Sequence, residues 1–143
     1  MTLMKHLAAA TATLALTAGM AAADPALIFD LGGKFDKSFN EAAYEGAQRW
    51  AKETGGTYKE LEMQSEAQRE QALRRLAESG ANPVVMTGFA FGDVLSQVAP
   101  DFPDTKFAII DMVVDQPNVK SVVFTEEQGS YLVGMMAAMA SNL

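Results

Sequence analysis

The sequence predicts an α/β fold, with a Rossmann-like parallel sheet and flanking helices. Five short runs rich in apolar and β-branched residues alternate with longer segments of helical periodicity. Two of the helical segments begin at S-x-x-[EQ] capping boxes, and the same two end at glycine. Alternation of this kind is typical of βαβ units, which build a parallel sheet.

The elements can be assigned in order along the chain. The predicted strands are residues 26–30, 57–63, 83–87, 106–111 and 119–125. The predicted helices are residues 38–54, 65–79, 91–99 and 128 to the end of the chain. No internal repeat and no low-complexity linker interrupts this pattern.

Local signals support the first two helices. The first begins at the box Ser38 to Glu41, and its apolar positions at helical spacing are Ala43, Gly46, Ala47 and Trp50. It ends at Gly55, a suitable left-handed cap.

The second helix begins at the box Ser65 to Gln68 and ends at Gly80. Its predicted buried face consists of Leu73, Leu76 and Ala77. Its predicted solvated face, to which no function is assigned, consists of Arg69, Glu70, Arg74, Arg75 and Glu78.

The C-terminal helix is apolar along residues 129–143 and has no capping signal at its end. Small residues and three methionines suit close packing, so we expect this helix to pack on the sheet. A dimer contact or a membrane contact is the alternative. At 15 residues the segment is short for a membrane span.

Residues 1–23 have the pattern of a signal peptide. Lys5 and His6 precede an apolar stretch, and the alanines at 21–23 suit a signal peptidase that cleaves before Asp24. A membrane anchor is the alternative, but the apolar stretch is shorter than the ~20 residues that a spanning helix needs. We therefore expect residues 24–143 to be one exported domain.

Composition excludes several classes of function. Removing Lys5 from the 11 basic residues leaves 10 against 18 acidic ones, a net charge of −8, which argues against nucleic acid as a partner. The chain has no cysteine, so we expect a soluble periplasmic protein without a lipid-modified cysteine. The one histidine is His6, so the exported domain lacks the residues for Ser-His or Cys-His catalysis and for an ordinary zinc site.

A ligand-binding crevice is predicted where the first, third and fourth strands end. If these strands are neighbours, their ends present Asp30, then Gly88 and Phe89, then Asp111. The loop after the first strand adds three candidates, Asp36, Phe39 and Asn40. Each aspartate alone could be a helix cap or a solvated loop residue, but together with the aromatic rings they indicate a binding site.

Such a crevice favours a planar ligand that donates hydrogen bonds and is neutral or cationic. Carboxylates accept hydrogen bonds from amines and hydroxyls, and a phenylalanine can stack on a flat ring. Gly32, Gly33 and Lys34 do not match a phosphate-binding loop, and we interpret Lys34 and Lys37 as solvent-exposed. A receiver-like phosphoacceptor domain is disfavoured because the third strand ends in Thr87 instead of aspartate.

Four segments resemble the basic membrane protein family, the substrate-binding proteins of purine-nucleoside ABC transporters. They are residues 27–46 (LIFDLGGKFDKSFNEAAYEG), 85–89 (VMTGF), 107–111 (FAIID) and 121–134 (SVVFTEEQGSYLVG). The resemblance extends from about Leu27 to Leu143. It implies one lobe of a type I periplasmic-binding fold, in which two lobes close on a nucleoside.

The resemblance also implies roles for individual residues. Asp30, Phe39, Asn40 and Asp111 match the ligand-contacting positions of the first lobe, with Phe39 stacking on the base. Asp36 and Ser38 match the same motif as loop-shaping and capping residues, and Gly88 and Phe89 match the crevice floor. The family's second lobe has no counterpart in residues 24–143, so the chain is expected to be the N-terminal lobe only.

The resulting hypothesis is a binding protein, not an enzyme, that needs no cofactor or metal. Its expected partners are a nucleoside, by resemblance a purine nucleoside, and an ABC permease in the inner membrane, and it is expected to be a monomer. The alternatives are a small exported flavodoxin-like hydrolase using Asp30 or Asp111 as a base, and a binding protein of the same fold for another small polar ligand such as a sugar. A third is an interaction module that pairs through the C-terminal helix.

Overall fold

The computed structural model describes residues 23–141, so residues 1–22 of the predicted signal peptide lie outside the described part. A five-stranded sheet forms its centre, with the order β2-β1-β3-β4-β5 and all neighbours parallel. The strands are β1 (Ala26–Phe29), β2 (Lys59–Glu62), β3 (Val84–Thr87), β4 (Phe107–Ile110) and β5 (Val119–Val122). The predicted fold class is confirmed, and β1, β3 and β4 are neighbours as the crevice prediction requires.

Four α-helices connect or follow the strands. They are α1 (Phe39–Thr54), α2 (Arg69–Glu78), α3 (Gly92–Val98) and α4 (Glu126–Ala140). Short 3₁₀ turns at Glu66–Gln68, Phe89–Phe91 and Ala99–Asp101 flank α2 and α3. The predicted elements are present, with ends that differ from the prediction by at most four residues. The largest difference is at the start of α2, where the 3₁₀ turn at Glu66–Gln68 precedes the helix.

The main core lies between the sheet and the layer formed by α2 and α3. Alternate strand residues point to this side, among them Ile28, Met86 and Ile109, and each is fully buried. They pack against Leu73 of α2 and Leu95 of α3 in one apolar cluster. Burying a side chain of this size contributes about 1.5–3 kcal/mol, so this cluster fixes the sheet beneath the crevice.

Helix α1 packs on the opposite side of the sheet, and its start is stabilised differently from the prediction. Ser38 occupies the cap position, but its side chain makes no capping hydrogen bond, so the predicted Ser38–Glu41 box is wrong. The Asp36 carboxylate accepts instead from the backbone N–H groups of Ser38 (2.8 Å), Glu41 (3.2 Å) and Asn40 (3.3 Å). An ionised side chain satisfies the free amides of a helix start better than a hydroxyl does.

The other capping signals are partly confirmed. Gly55 is left-handed, with φ 71°, and donates its N–H to the Ala51 carbonyl, as predicted for the end of α1. Before α2, Ser65 makes no side-chain cap, and Gln68 Oε1 accepts from the N–H of Gln64 at 3.2 Å. The second box is therefore wrong, because Ser65 makes no cap and Gln68 bonds to the N–H of Gln64 instead of that of Ser65.

Helix α4 does not pack on the sheet, so the predicted packing is wrong. All of its residues from Glu126 to Ala140 are exposed, including Leu132 and Met136. Its apolar side chains are spread around the helix, and such a helix has no single face to lay on a sheet. Within residues 23–141, no helix combines the length and apolar character needed to cross a bilayer.

The cap at Asp36 predicts a pH-dependent stability. Burial acts to raise the pKa of Asp36. The hydrogen bonds that it accepts from the backbone N–H groups of Glu41, Ser38 and Asn40 outweigh this effect and hold the pKa below the usual 3.8. We expect Asp36→Ala to lower the free energy of unfolding by about 1 kcal/mol at pH 7. A lowered pKa stabilises the fold above the unfolded-state value, so this difference should shrink as pH falls below 3.8 and through the folded-state pKa.

Urea unfolding of residues 24–143 at pH 7 and pH 3 measures this effect. Asp36→Asn keeps one acceptor oxygen and should be intermediate. Asp115→Ala, at an exposed loop carboxylate, is the matched control and should change stability by less than about 0.5 kcal/mol. An Asp36→Ala loss that is equal at both pH values would contradict a capping role for the ionised carboxylate.

Candidate functional site

The carboxyl ends of β1, β3 and β4 and the loop leading into α1 enclose a crevice of about 180 Å³. Its lining residues are Asp30, Leu31, Asp36, Phe39, Asn40, Thr87, Gly88, Phe89 and Asp111. The seven residues predicted from the sequence are all among them. The parallel register brings these strand ends together, because all carboxyl ends meet at one edge of the sheet.

Asn40 holds the crevice together. It is 2% exposed, and its Oδ1 accepts from the N–H of Asp30 (3.0 Å) and from the Thr87 hydroxyl (2.7 Å). Its Nδ2 donates to the carbonyls of Asp30 (3.0 Å) and Gly33 (3.1 Å). These four bonds use the full hydrogen-bonding capacity of the amide, so in this state Asn40 shapes the crevice and has no free group for a ligand.

The Asp30 carboxylate is already paired within the protein. Its Oδ1 accepts from the N–H of Leu31 at 2.8 Å and from the Arg69 guanidinium at 2.7 Å. The Arg69 side chain is 9% exposed and its guanidinium lies 5.4 Å from the centre of the buried Phe91 ring. The prediction that Arg69 belongs to a solvated face is therefore wrong.

A signal for Arg69 was present in the sequence. It lies four residues before Leu73, so helical spacing places it on the same face as the buried Leu73, Leu76 and Ala77. The charge pattern alone did not reveal this, because the partner, Asp30, is 39 residues away in the chain.

Gly88 and two phenylalanines form the floor and rims of the crevice. Gly88 has φ +96°, and a Cβ at this position would lie 3.1 Å from Asp30 Oδ2, so a side chain here would be strained and would crowd the carboxylate. Phe39 is 45% exposed and Phe89 is 68% exposed. Exposed rings beside polar groups are available to stack on a flat ligand.

Asp111, at the end of β4, lies beside a second carboxyl group that the sequence did not reveal. The backbone of Asp111 is left-handed (φ 73°), and its N–H donates to the Val122 carbonyl at 2.7 Å. A hydrogen bond with the Asp111 carboxyl, and next its charge, raise the pKa of Glu126 at the start of α4.

Lys34 points away from the crevice. It was expected to be simply solvent-exposed, but the structure gives it partners. Its ammonium pairs with Glu60 and lies 4.7 Å from the centre of the Tyr44 ring. The Lys34 ammonium is therefore already paired and is not free to hold a phosphate. Within residues 23–141, no cluster of three or more His, Cys, Asp or Glu side chains could hold a metal ion.

A larger groove of about 430 Å³ lies between α1 and the sheet, but its chemistry is different. It is lined by Pro25, Ala26, Leu27, Ala42, Ala43, Gly46, Ala47, Trp50, Tyr58, Pro83, Val85 and Ile110. The indole N–H of Trp50 and the hydroxyl of Tyr58 are its polar side-chain groups, and the pKa of that hydroxyl is raised by burial and by the hydrogen bond to Glu60. A groove without convergent polar groups cannot orient a small polar ligand, so the smaller crevice is the candidate site.

Comparisons with known proteins give the chain a family. Residues 25–143 match the family model described as "ABC transporter substrate-binding protein PnrA-like". The ABC transporter nucleoside-binding protein BmpA of Lactococcus lactis is 34% identical over 124 residues, which cover 82% of this chain and 35% of that protein. An uncharacterized lipoprotein of Pyrococcus furiosus is 37% identical over 116 residues, covering 79% of this chain and 29% of that protein.

A solved structure supports the same family. The solute-binding protein of an ABC transporter system from Aeropyrum pernix matches with a TM-score of 0.76 and 37% identity, covering 81% of this chain and 32% of that one. The chain thus spans about a third of the length of the relatives it matches. The family consists of substrate-binding proteins and not of enzymes, which removes the hydrolase alternative. By sequence and by fold, the chain belongs to the PnrA-like family of ABC transporter substrate-binding proteins.

Proposed function

We propose that residues 24–143 form the N-terminal lobe of a periplasmic substrate-binding protein that holds a purine nucleoside for an ABC importer. The observation that carries this proposal is the crevice itself, in which exposed aromatic rings stand beside carboxylates at the carboxyl edge of a parallel sheet. The name of the Lactococcus relative, a nucleoside-binding protein, supports the same ligand class.

The chemistry of the crevice suits a nucleoside. Phe39 and Phe89 offer ring faces to a flat base, and each such contact contributes about 0.5–1.5 kcal/mol. Asp30 and Asp111 offer oxygens to ring N–H, amine or ribose hydroxyl donors, each worth about 1.5–3 kcal/mol. Asp36 and Asn40 line the same crevice, but their polar groups are engaged with the backbone, so their proposed role is to hold its shape.

The proposal includes a second lobe that would close over the crevice. A crevice of about 180 Å³ that is open on one side cannot surround a nucleoside, and closure of two lobes is how such proteins bury their ligands. The closed pair of lobes would then be the form that a permease in the inner membrane recognises. We further propose that the whole protein acts as a monomer.

The proposed location is the periplasm, reached through the signal peptide predicted at residues 1–23. The sequence contains no cysteine that could carry a lipid, whereas the Pyrococcus relative is named a lipoprotein. Mass spectrometry of the protein recovered from a bacterial periplasm would identify the mature N-terminus and any lipid.

Stacking by Phe39 predicts a loss of affinity on truncation. In the full-length protein, we expect Phe39→Ala to weaken the binding of inosine or guanosine about tenfold, as measured by isothermal titration calorimetry. Phe35→Ala is the matched control. Phe35 is also an exposed ring of the same loop, but it contacts Tyr44 and does not line the crevice, so its loss should change affinity less than about twofold.

Equal affinities of wild type and Phe39→Ala would contradict the assignment of the crevice. Binding of a sugar in preference to every nucleoside would keep the crevice and replace the ligand class.

The exposed helix α4 predicts self-association of residues 24–143 in isolation. Met136 is 69% exposed and Met139 83% exposed, and we propose that the second lobe covers them in the whole protein. At about 100 µM the isolated chain should sediment as dimers or larger species, and Met136→Glu with Met139→Glu should restore a monomer. Val113→Glu, at an exposed loop valine, is the control and should leave association unchanged.

Sedimentation of the unaltered isolated chain as a monomer at this concentration would contradict the prediction. It would also remove the alternative of an interaction module that pairs through this helix.

A further inference from the structure

We propose that Arg69 is a specificity-determining residue of the crevice, which compensates the charge of Asp30 and so makes the site prefer neutral nucleosides to cationic ones. The inference rests on the proposed function, because it concerns the ligand class of the same site. Without Arg69, a crevice lined by three aspartates would favour a positively charged base.

Arg69 contacts the charge of the crevice, at Asp30, without lining the crevice itself. Its guanidinium bonds to Asp30 Oδ1 at 2.7 Å, while Gly88 faces Asp30 Oδ2. Of the ion pairs formed by the described residues, the Arg69–Asp30 pair is the one that includes a crevice residue. Arg69 itself does not line the crevice, so it acts on a ligand through Asp30 and through its own field.

Burial indicates that this arginine is not placed by stability alone. Its side chain is 9% exposed, and its Nε is buried without a hydrogen-bond partner among the described groups. A buried ion pair gains little net stability after desolvation, and a buried unsatisfied N–H has a further cost. An apolar side chain on this face of α2 would avoid the costs borne by the guanidinium, but it would leave the Asp30 carboxylate without its partner. The advantage of arginine at this position is therefore its electrostatic effect on Asp30.

The size of the effect follows from Coulomb's law. Removing a unit charge roughly 8 Å from a cationic ligand, at an effective dielectric constant of about 40, changes affinity roughly fivefold. A neutral ligand is unaffected by this term. The ratio of the two affinities therefore isolates the charge of Arg69 from any general loosening of the site.

The test compares guanosine with 7-methylguanosine at pH 6, where the methylated base is cationic, by calorimetry on the full-length protein. Arg69→Met should raise the affinity for 7-methylguanosine relative to guanosine about three- to tenfold, and Arg69→Lys should keep the wild-type ratio. The double variant Asp30→Asn with Arg69→Met should return close to the wild-type ratio. The steric effect of the methyl group cancels, because the same two ligands are compared in every variant.

Arg74→Met is the matched control. Arg74 lies on the same helix, and it pairs with Glu70 and Asp101, neither of which lines the crevice, so its loss should leave the ratio unchanged. If Arg69→Met does not fold, Asp30→Asn can be compared with the double variant. This comparison removes the same Arg69 charge while position 30 is neutral, and it should give the same increase in the relative affinity for 7-methylguanosine.

The outcomes separate the two proposals. A wild-type protein that binds no nucleoside overturns the proposed function, and this inference with it. If Arg69→Met binds guanosine but keeps the wild-type ratio of the two affinities, the role of Arg69 is overturned and the proposed function stands. The same conclusion follows if that variant binds guanosine and shows no detectable binding of 7-methylguanosine. An equal loss for both ligands assigns Arg69 a structural role only.

Discussion

The buried amide of Asn40 is the contact on which the candidate site depends. It joins the end of β1, the loop at Gly33, the start of α1 and the end of β3 through four hydrogen bonds. The strands hold the sheet edge in place, but the Asn40 side chain sets the path of the loop after β1. The Gly33 carbonyl and the backbone N–H and carbonyl of Asp30 all bond to it. A buried and fully satisfied amide of this kind specifies one conformation, since any other would leave several polar groups unpaired.

The carboxylates of the crevice are each engaged with another group of the protein, and this determines what they can offer. Asp36 is occupied by helix amides, Asp30 shares its Oδ1 with Arg69, and Asp111 interacts with Glu126. Arg69 compensates one of these charges, so the formal charge of the three aspartates overstates the attraction of the crevice for cations. What remains available is mainly hydrogen-bond acceptance next to exposed rings, which suits the neutral ligand that we propose.

The sequence predicted the sheet and the crevice because both depend on short-range patterns. Apolar runs and helical periods located β1 to β5 and α1 to α4, and the parallel edge then grouped the seven predicted residues. Arg69 was mispredicted because its partner is 39 residues away in the chain. Helix α4 was mispredicted because its apolar side chains are spread around the helix, and nothing in residues 23–141 buries them. The Ser38 cap was mispredicted because Asp36, only two residues before Ser38, accepts the amides at the start of α1 more strongly.

The crevice and the start of α4 lie at the same edge of the sheet. The crevice sits at the carboxyl ends of β1, β3 and β4, and α4 begins four residues after the carboxyl end of β5, with Glu126 beside Asp111. A second lobe placed over this edge would therefore cover the ligand and the apolar helix together. Burial of α4 supplies an apolar contact that does not depend on ligand, while Phe39 and Phe89 gain a partner only when a flat ligand is present. In the proposed protein the helix would hold the lobes together, and the crevice would make their closure responsive to the nucleoside.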